Sequence, residues 1–266
     1  MTAPIELHWV QRPGSKPGGI IRPSTVEEAA AILAAQPSLR PIAGGTDLLL
    51  DLARDQAGDR VDLLDLTGIE GFKDVELVDG ELRIGAGVTH SDIVAAPELS
   101  DNGLLALRQA CLEIGSPQLR NRATIAGNLV TASPANDTIS ALIALNASVE
   151  CIAVIEGQEH RRTIKLDEFY DGFRSTVLGE AELVTAITVP APTGNRRGIW
   201  VKAGLRKAQA ISVVHAGLVL ELDAEDTVVT ARIALGSVGP TVWRTTSTRI
   251  AGQIGCHCFQ PGPIEA

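Results

Sequence analysis

Aromatic residues are scarce in this chain of 266 residues, at 3%, with a single Tyr and a single Met. A core with so few rings must be assembled from Ala, Leu, Ile and Val, the residues behind the 45% hydrophobic content. Cysteine is nearly as sparse, represented by Cys111, Cys151, Cys256 and Cys258. Thiols so scattered form no disulfide framework and suit a reducing cytoplasm. They also lack iron–sulfur spacing, so no cluster is expected on this chain. Spanning a bilayer takes roughly 20 uninterrupted apolar residues, and the longest apolar stretch, 139–155, is broken by Asn146 and Glu150. Residues 1–10 contain Glu6 and His8 and no apolar segment of the secretory kind. Basic residues are outnumbered by acidic ones, 23 against 32, and the net charge of −9 opposes a general affinity for nucleic acid or anionic membrane. A soluble, cytoplasmic protein of one or two domains with a sizeable core is expected.

The pattern along the chain predicts mixed structure. Pro23-Ser24-Thr25 before 26–33 reads as a capped helix whose Glu27 and Glu28 suit its positive end. A strand near 40–42 then enters the turn 43–46, and helical spacing resumes over 47–53. Strands are predicted at 61–66, 75–78 and 81–85, with Asp79-Gly80 a hairpin turn between the last two. Residues 103–114 read as an amphipathic helix with Leu104, Leu105, Leu107 and Leu112 on its apolar face, and 138–145 as another helix. Strands follow at 148–155, 183–189, 199–203, 211–222 and 228–235. Strands dominate the last third and alternate with helices before it, so the fold class is α+β.

Two short segments carry chemistry. Gly44-Gly45-Thr46-Asp47 offers consecutive glycines that accept positive φ and let a ligand reach the backbone. Successive N–H groups at such a turn form an anion nest suited to a diphosphate, although a plain strand-to-helix turn has the same look. Thr124-Ile125-Ala126-Gly127-Asn128 is a second turn of this character, with Thr and Asn able to bond phosphate or ribityl oxygens. Asp137 is most simply an N-cap for the helix that follows, and could instead bind a cofactor hydroxyl. Gly85-x-Gly87 lacks the third glycine of a dinucleotide-binding fingerprint, which excludes a separate nicotinamide domain on that motif. Cys256-His257-Cys258 is a weak metal signal without further ligands. His90 and His215 read as satisfied core or loop residues, and Arg120 and Arg122 as loop-positioning or partner-facing groups.

Taken together, Pro41-Ile42-Ala43-Gly44-Gly45-Thr46-Asp47-Leu48-Leu49 and Arg120-Asn121-Arg122-Ala123-Thr124-Ile125-Ala126-Gly127-Asn128 resemble the FAD-binding medium subunit of the xanthine dehydrogenase and carbon monoxide dehydrogenase family. The continuation through Asp137, the run 82–89 and Gly236-Ser237-Val238-Gly239-Pro240-Thr241 extend the likeness over roughly residues 20–250. The resemblance implies a two-lobed FAD-binding domain of the PCMH type, with lobes at 1–57 and 58–165. An α+β C-terminal domain with an antiparallel sheet follows at 166–252, shortened relative to the family, with a disordered tail at 253–266. It implies FAD contacts at Ile42, Ala43, Gly44, Gly45, Thr46, Asp47, Thr124, Ile125, Ala126, Gly127, Asn128 and Asp137. Lys202 matches a lysine near the cofactor, Ile211 an aliphatic side chain against the flavin ring, and Leu183 or Val184 a backbone contact. Without the resemblance Lys202 reads as a solvated strand lysine and Ile211 as core.

The implied activity is that of an electron-relay subunit, an oxidoreductase only in complex. A large molybdenum-cofactor subunit oxidises the substrate, and a small subunit passes electrons through [2Fe–2S] clusters to FAD here. No catalytic side chain and no metal ligand is expected on this chain. Three features depart from the family. Ala126 stands where a glycine is common, which is tolerable if its φ is negative. The segment 206–211 lacks an Asp often found before the isoleucine, which leaves the electron acceptor open. The segment 253–261 matches nothing in the family. Two rival readings are a self-sufficient oxidase of the vanillyl-alcohol-oxidase type and a flavin-free scaffold subunit. The first would want a covalent His or Cys, and neither turn has one.

Overall fold

The computed structural model describes residues 14–55, 59–101, 103–191, 195–206 and 209–247. It contains four sheets, of three, five, four and two strands. The chain opens with β1 (Lys16–Ile21), α1 (Val26–Ala35), β2 (Arg40–Ile42), α2 (Leu48–Arg54) and β3 (Arg60–Asp65). The three strands form a parallel sheet in the order β1-β3-β2. Helix α1 begins where the sequence asks: the Thr25 hydroxyl accepts from the Glu28 N–H, and the Glu28 carboxylate accepts from the N–H and hydroxyl of Ser24.

Next come β4 (Val75–Val78), β5 (Glu81–Gly85), α3 (His90–Ala95), α4 (Leu105–Glu113), α5 (Pro117–Arg120), α6 (Ile125–Val130) and α7 (Asp137–Ala144). Then follow β6 (Ser148–Ile155), β7 (Gln158–Lys165), β8 (Tyr170–Gly172), β9 (Ser175–Thr176) and β10 (Leu183–Pro190). Strands β4-β5-β10-β6-β7 make an antiparallel sheet, and β8 and β9 a small hairpin. Asp79 and Gly80 both take positive φ, the geometry of a two-residue hairpin loop, as their sequence predicts. Strand β7 escapes the sequence reading: its residues are polar and almost all exposed on an edge, so no alternation marks it. The segment 183–190, read from sequence as part of the third unit, lies at the centre of this sheet between β5 and β6.

Strands β11 (Asn195–Gly204), β12 (Ser212–Leu222), β13 (Val228–Gly236) and β14 (Trp243–Ser247) form an antiparallel sheet in sequence order. One face is covered by α4 and α7, which pack on β11, β12 and β13. Every residue of α7 is buried. Gly217 permits the close approach, since a Cβ there would lie 2.6 Å from the Ser140 carbonyl oxygen. The other face is left exposed along one register row, Val201, Ala216, Leu235 and Trp243, with Val201 and Trp243 over half exposed.

Two expectations are corrected. The buried face of α4 is Ala106, Leu107, Ala110 and Cys111, while Leu112 is exposed. Leu104 and Leu107 are buried as expected, and small residues fill the rest of the face where the helix sits tightly on the sheet. The resemblance implies a helix after Pro240-Thr241, of which 245–252 would form only the first turns; Thr245 instead lies in β14, where the open edge of β13 offers it a ladder. The tail at 253–266 lies outside the described residues.

Candidate functional site

The two glycine segments meet. A Cβ on Gly44 would overlap the carbonyl oxygen of Arg122, so the first turn rests directly on the backbone leading into the second. Gly45 takes φ +74, a conformation that side-chain-bearing residues resist, and a Cβ there would stand 3.2 Å from Leu49 and Ile42. No protein acceptor is found for the N–H groups of Gly44, Gly45, Thr46 and Asp47 among the described residues. Four successive unpaired donors at a helix entrance are a nest for an anion. Asp47, at the mouth of α2, makes no capping bond of its own.

The second segment is a helix entrance rather than a bare turn. Thr124 caps α6 by accepting from the Gly127 N–H at 3.1 Å, and Ile125 and Ala126 are buried in its first turn. Its position is fixed from below, since Ile125 donates to Val88 and His90 to Ala123, at 2.9 and 3.1 Å. Ala126 is not among the positive-φ residues, so its Cβ is accommodated. A Cβ on Gly127 would meet only the Thr124 hydroxyl at 3.0 Å, so the space beyond is open. The Asn128 side-chain oxygen accepts from Thr138 at 2.5 Å and its carbonyl from Asn136 at 2.6 Å. That leaves the Asn128 amide nitrogen as the free end.

Between the segments opens a cavity of about 630 Å³. Ile42, Ala43, Gly44, Gly45, Thr46, Asp47, Thr124, Gly127 and Asn128 all line it. Its size is that of a large cofactor. The cradle of free N–H groups, the two glycines whose Cβ positions a ligand would contest, and the presented Asn128 amide all fit FAD.

Asp137 is not the N-cap; Asn136 holds that position and Asp137 is the first helical residue. Its buried carboxylate instead accepts from Lys202 Nζ at 2.7 Å and from the Ser212 hydroxyl at 2.6 Å, tying α7 to β11 and β12. Lys202 is therefore no solvated strand lysine, its side chain being 8% exposed. Ile211 is 81% exposed, which rules out the core reading. Leu183 and Val184 are both buried at the start of β10. Asp137, Leu183, Lys202 and Ile211 do not line the cavity.

Sequence reasoning missed several wall residues, including Asn136, Arg174 and His90. His90 is fully buried, with Nδ1 3.6 Å from Cys111 Sγ and Nε2 without a partner, so only half of it is satisfied. Burial, helped by the charge of Arg120, pushes its pKa down to about 4 and keeps it neutral. His215 fits its core reading better. The Pro134 carbonyl can only accept, so Nε2 donates to it at 3.2 Å, and Nδ1 accepts from Ser140 at 2.7 Å. Ser140 in turn accepts from Trp200 Nε1 at 2.9 Å, and burial lowers the His215 pKa. These bonds anchor the loop before α7 to the C-terminal sheet.

Residues 15–192 match the FAD binding domain in molybdopterin dehydrogenase, and residues 200–252 the CO dehydrogenase flavoprotein C-terminal domain. The chain is 31% identical over 223 residues to the nicotinate dehydrogenase FAD-subunit of Eubacterium barkeri, covering 82% of this chain and 73% of that one. It is 30% identical over 230 residues to the carbon monoxide dehydrogenase medium chain of Hydrogenophaga pseudoflava, covering 85% and 77%. The solved structure of a Cu,Mo-CO dehydrogenase superposes with a TM-score of 0.78 at 27% identity, covering 86% of this chain and 78% of that chain. The chain thus belongs to the FAD-binding medium subunits of the molybdenum hydroxylases, flavoprotein components of oxidoreductases.

Proposed function

We propose that this chain holds one FAD in the cavity between Gly44 and Gly127 and relays electrons within a three-subunit molybdenum hydroxylase. The observation that carries the reading is the row of N–H groups from Gly44 to Asp47, unpaired among the described residues, in a segment that lines one cavity together with the α6 entrance. Residues Ile42 to Asp47 cradle the diphosphate, and Thr124 to Asn128 hold the other side of the phosphate and ribityl chain. The Asp137–Lys202 pair and Leu183 support the flavin end, where Ile211, exposed in the isolated chain, lies against the ring.

When bound, FAD takes up electrons singly and can release them as a pair, while the protein supplies orientation and electrostatics. In such a complex this chain would hold the flavin between the [2Fe–2S] clusters of a small subunit and an external acceptor, with substrate oxidation belonging to a large molybdenum-cofactor subunit. A cytoplasmic setting suits the buried free thiols of Cys111 and Cys151. No helix among the described residues is long and apolar enough to cross a membrane.

Co-expression with large and small subunits tests the partnership. A stable complex whose FAD is reduced by substrate supports it. Substrate oxidation by the FAD-loaded chain alone, in molybdenum-free medium, favours the self-sufficient oxidase instead.

A further inference from the structure

Arg174, a cation on the cavity wall, has no assigned role. Arg174 sits at the tip of the β8–β9 hairpin with φ +54, in the left-handed region that arginine enters only under constraint. Its N–H donates to the Ala132 carbonyl at 3.2 Å, and Ala132, itself at φ +52, follows the end of α6. Two left-handed residues bonded to each other thus fix the Arg174 Cα beside the end of α6, on the wall of the cavity that the first turn also lines. Its guanidinium has no hydrogen-bond or ion-pair partner among the described residues, although it lines the cavity.

The charge balance of the wall makes that arrangement consequential. Arg40 and Arg174 are its guanidinium groups, and Asp47 and Asp51 its carboxylates. The wall is neutral as it stands, and removing Arg174 leaves it net negative. A dinucleotide diphosphate brings two further negative charges, which the backbone donors of the first turn meet from one side only.

We infer that Arg174 is a cationic contact for the diphosphate of the bound dinucleotide, held on the wall it shares with the Gly44–Asp47 turn by the Ala132–Arg174 backbone bond. The inference rests on the FAD reading of this cavity. It assigns to the hairpin a ligand-binding role that neither glycine segment carries. Guanidinium suits the task because its fork matches phosphate oxygens and its charge does not titrate.

The test uses flavin-free full-length chain titrated with FAD, with ADP as a competitor that shares the adenosine diphosphate half and lacks the riboflavin. Arg174→Gly removes the guanidinium while easing the left-handed backbone, so it should melt no lower than wild type. Its affinity for both FAD and ADP should fall by about ten-fold or more, and Arg174→Lys should fall between. The gap between Arg174→Gly and wild type should narrow as salt rises. Equal FAD affinity in wild type and Arg174→Gly overturns the inference alone, as does a loss confined to FAD with ADP unchanged. A wild-type chain that binds neither ligand sinks the reading of the cavity itself.

Discussion

Lys202 Nζ lies 2.7 Å from the Asp137 carboxylate, and both side chains are less than a tenth exposed. The pair joins α7 to β11 of the C-terminal sheet, and Ser212 of β12 completes the carboxylate's bonds. Asp137→Ala would leave a buried ammonium without its counter-charge, a loss of about 3 kcal/mol or more, against about 1 kcal/mol for a lost cap. Chemical denaturation of flavin-free protein separates the two, and Asp137→Ala with Lys202→Met should recover part of the loss. A cost near 1 kcal/mol with no recovery would show that the pair is not the joint it looks to be.

Gly127 separates ligand space from fold. It is helical, and its Cβ direction is open apart from the Thr124 hydroxyl at 3.0 Å. Gly127→Ala gains about 1 kcal/mol of helix propensity and gives some back by pressing on the Thr124 cap. Flavin-free stability should therefore stay within about 1 kcal/mol of wild type, while the added methyl group enters ligand space and lowers FAD retention. Unchanged flavin content in Gly127→Ala would place the ligand elsewhere in the cavity.

His90 predicts a pH dependence. Its folded pKa is near 4, below its ordinary 6.5, because burial opposes the charged form. Between those values the unfolded chain binds more protons, so the His90 contribution to stability is lost as pH falls from about 6.5 to about 4, by about 3 kcal/mol in all. His215 is shifted the same way and cancels in a comparison with His90→Leu. Urea melts from pH 7 to pH 4.5 should show wild type losing stability faster than His90→Leu. Parallel curves would mean that His90 is hydrated in the folded chain.

The parts of the site that were legible in the sequence are those fixed locally. Gly44-Gly45 and Thr124 through Asn128 declare their geometry because positive φ and helix capping depend on a few adjacent residues. The states of Lys202 and Ile211 depend on what lies across space, and strand periodicity treats a buried ion pair and a solvated lysine alike. Asp137 reads as a cap from its neighbours, and only the distant β11 and β12 reveal its engagement. Arg174 and His90 carry no signal at all, since one reaches the cavity on a hairpin tip and the other through a helix packed beneath it. The polar edge strand β7 was invisible for the opposite reason, having no buried face to set a period.

The central claim is that one FAD binds, without a covalent bond, between the two glycine segments. Titrating FAD into flavin-free wild-type chain and into Gly45→Val, both checked for folding by circular dichroism, tests it most directly. The account predicts saturation at one FAD per wild-type chain, release of the flavin on acid precipitation, and no measurable binding by folded Gly45→Val. Full binding by a folded Gly45→Val chain, or none by wild type, would contradict it.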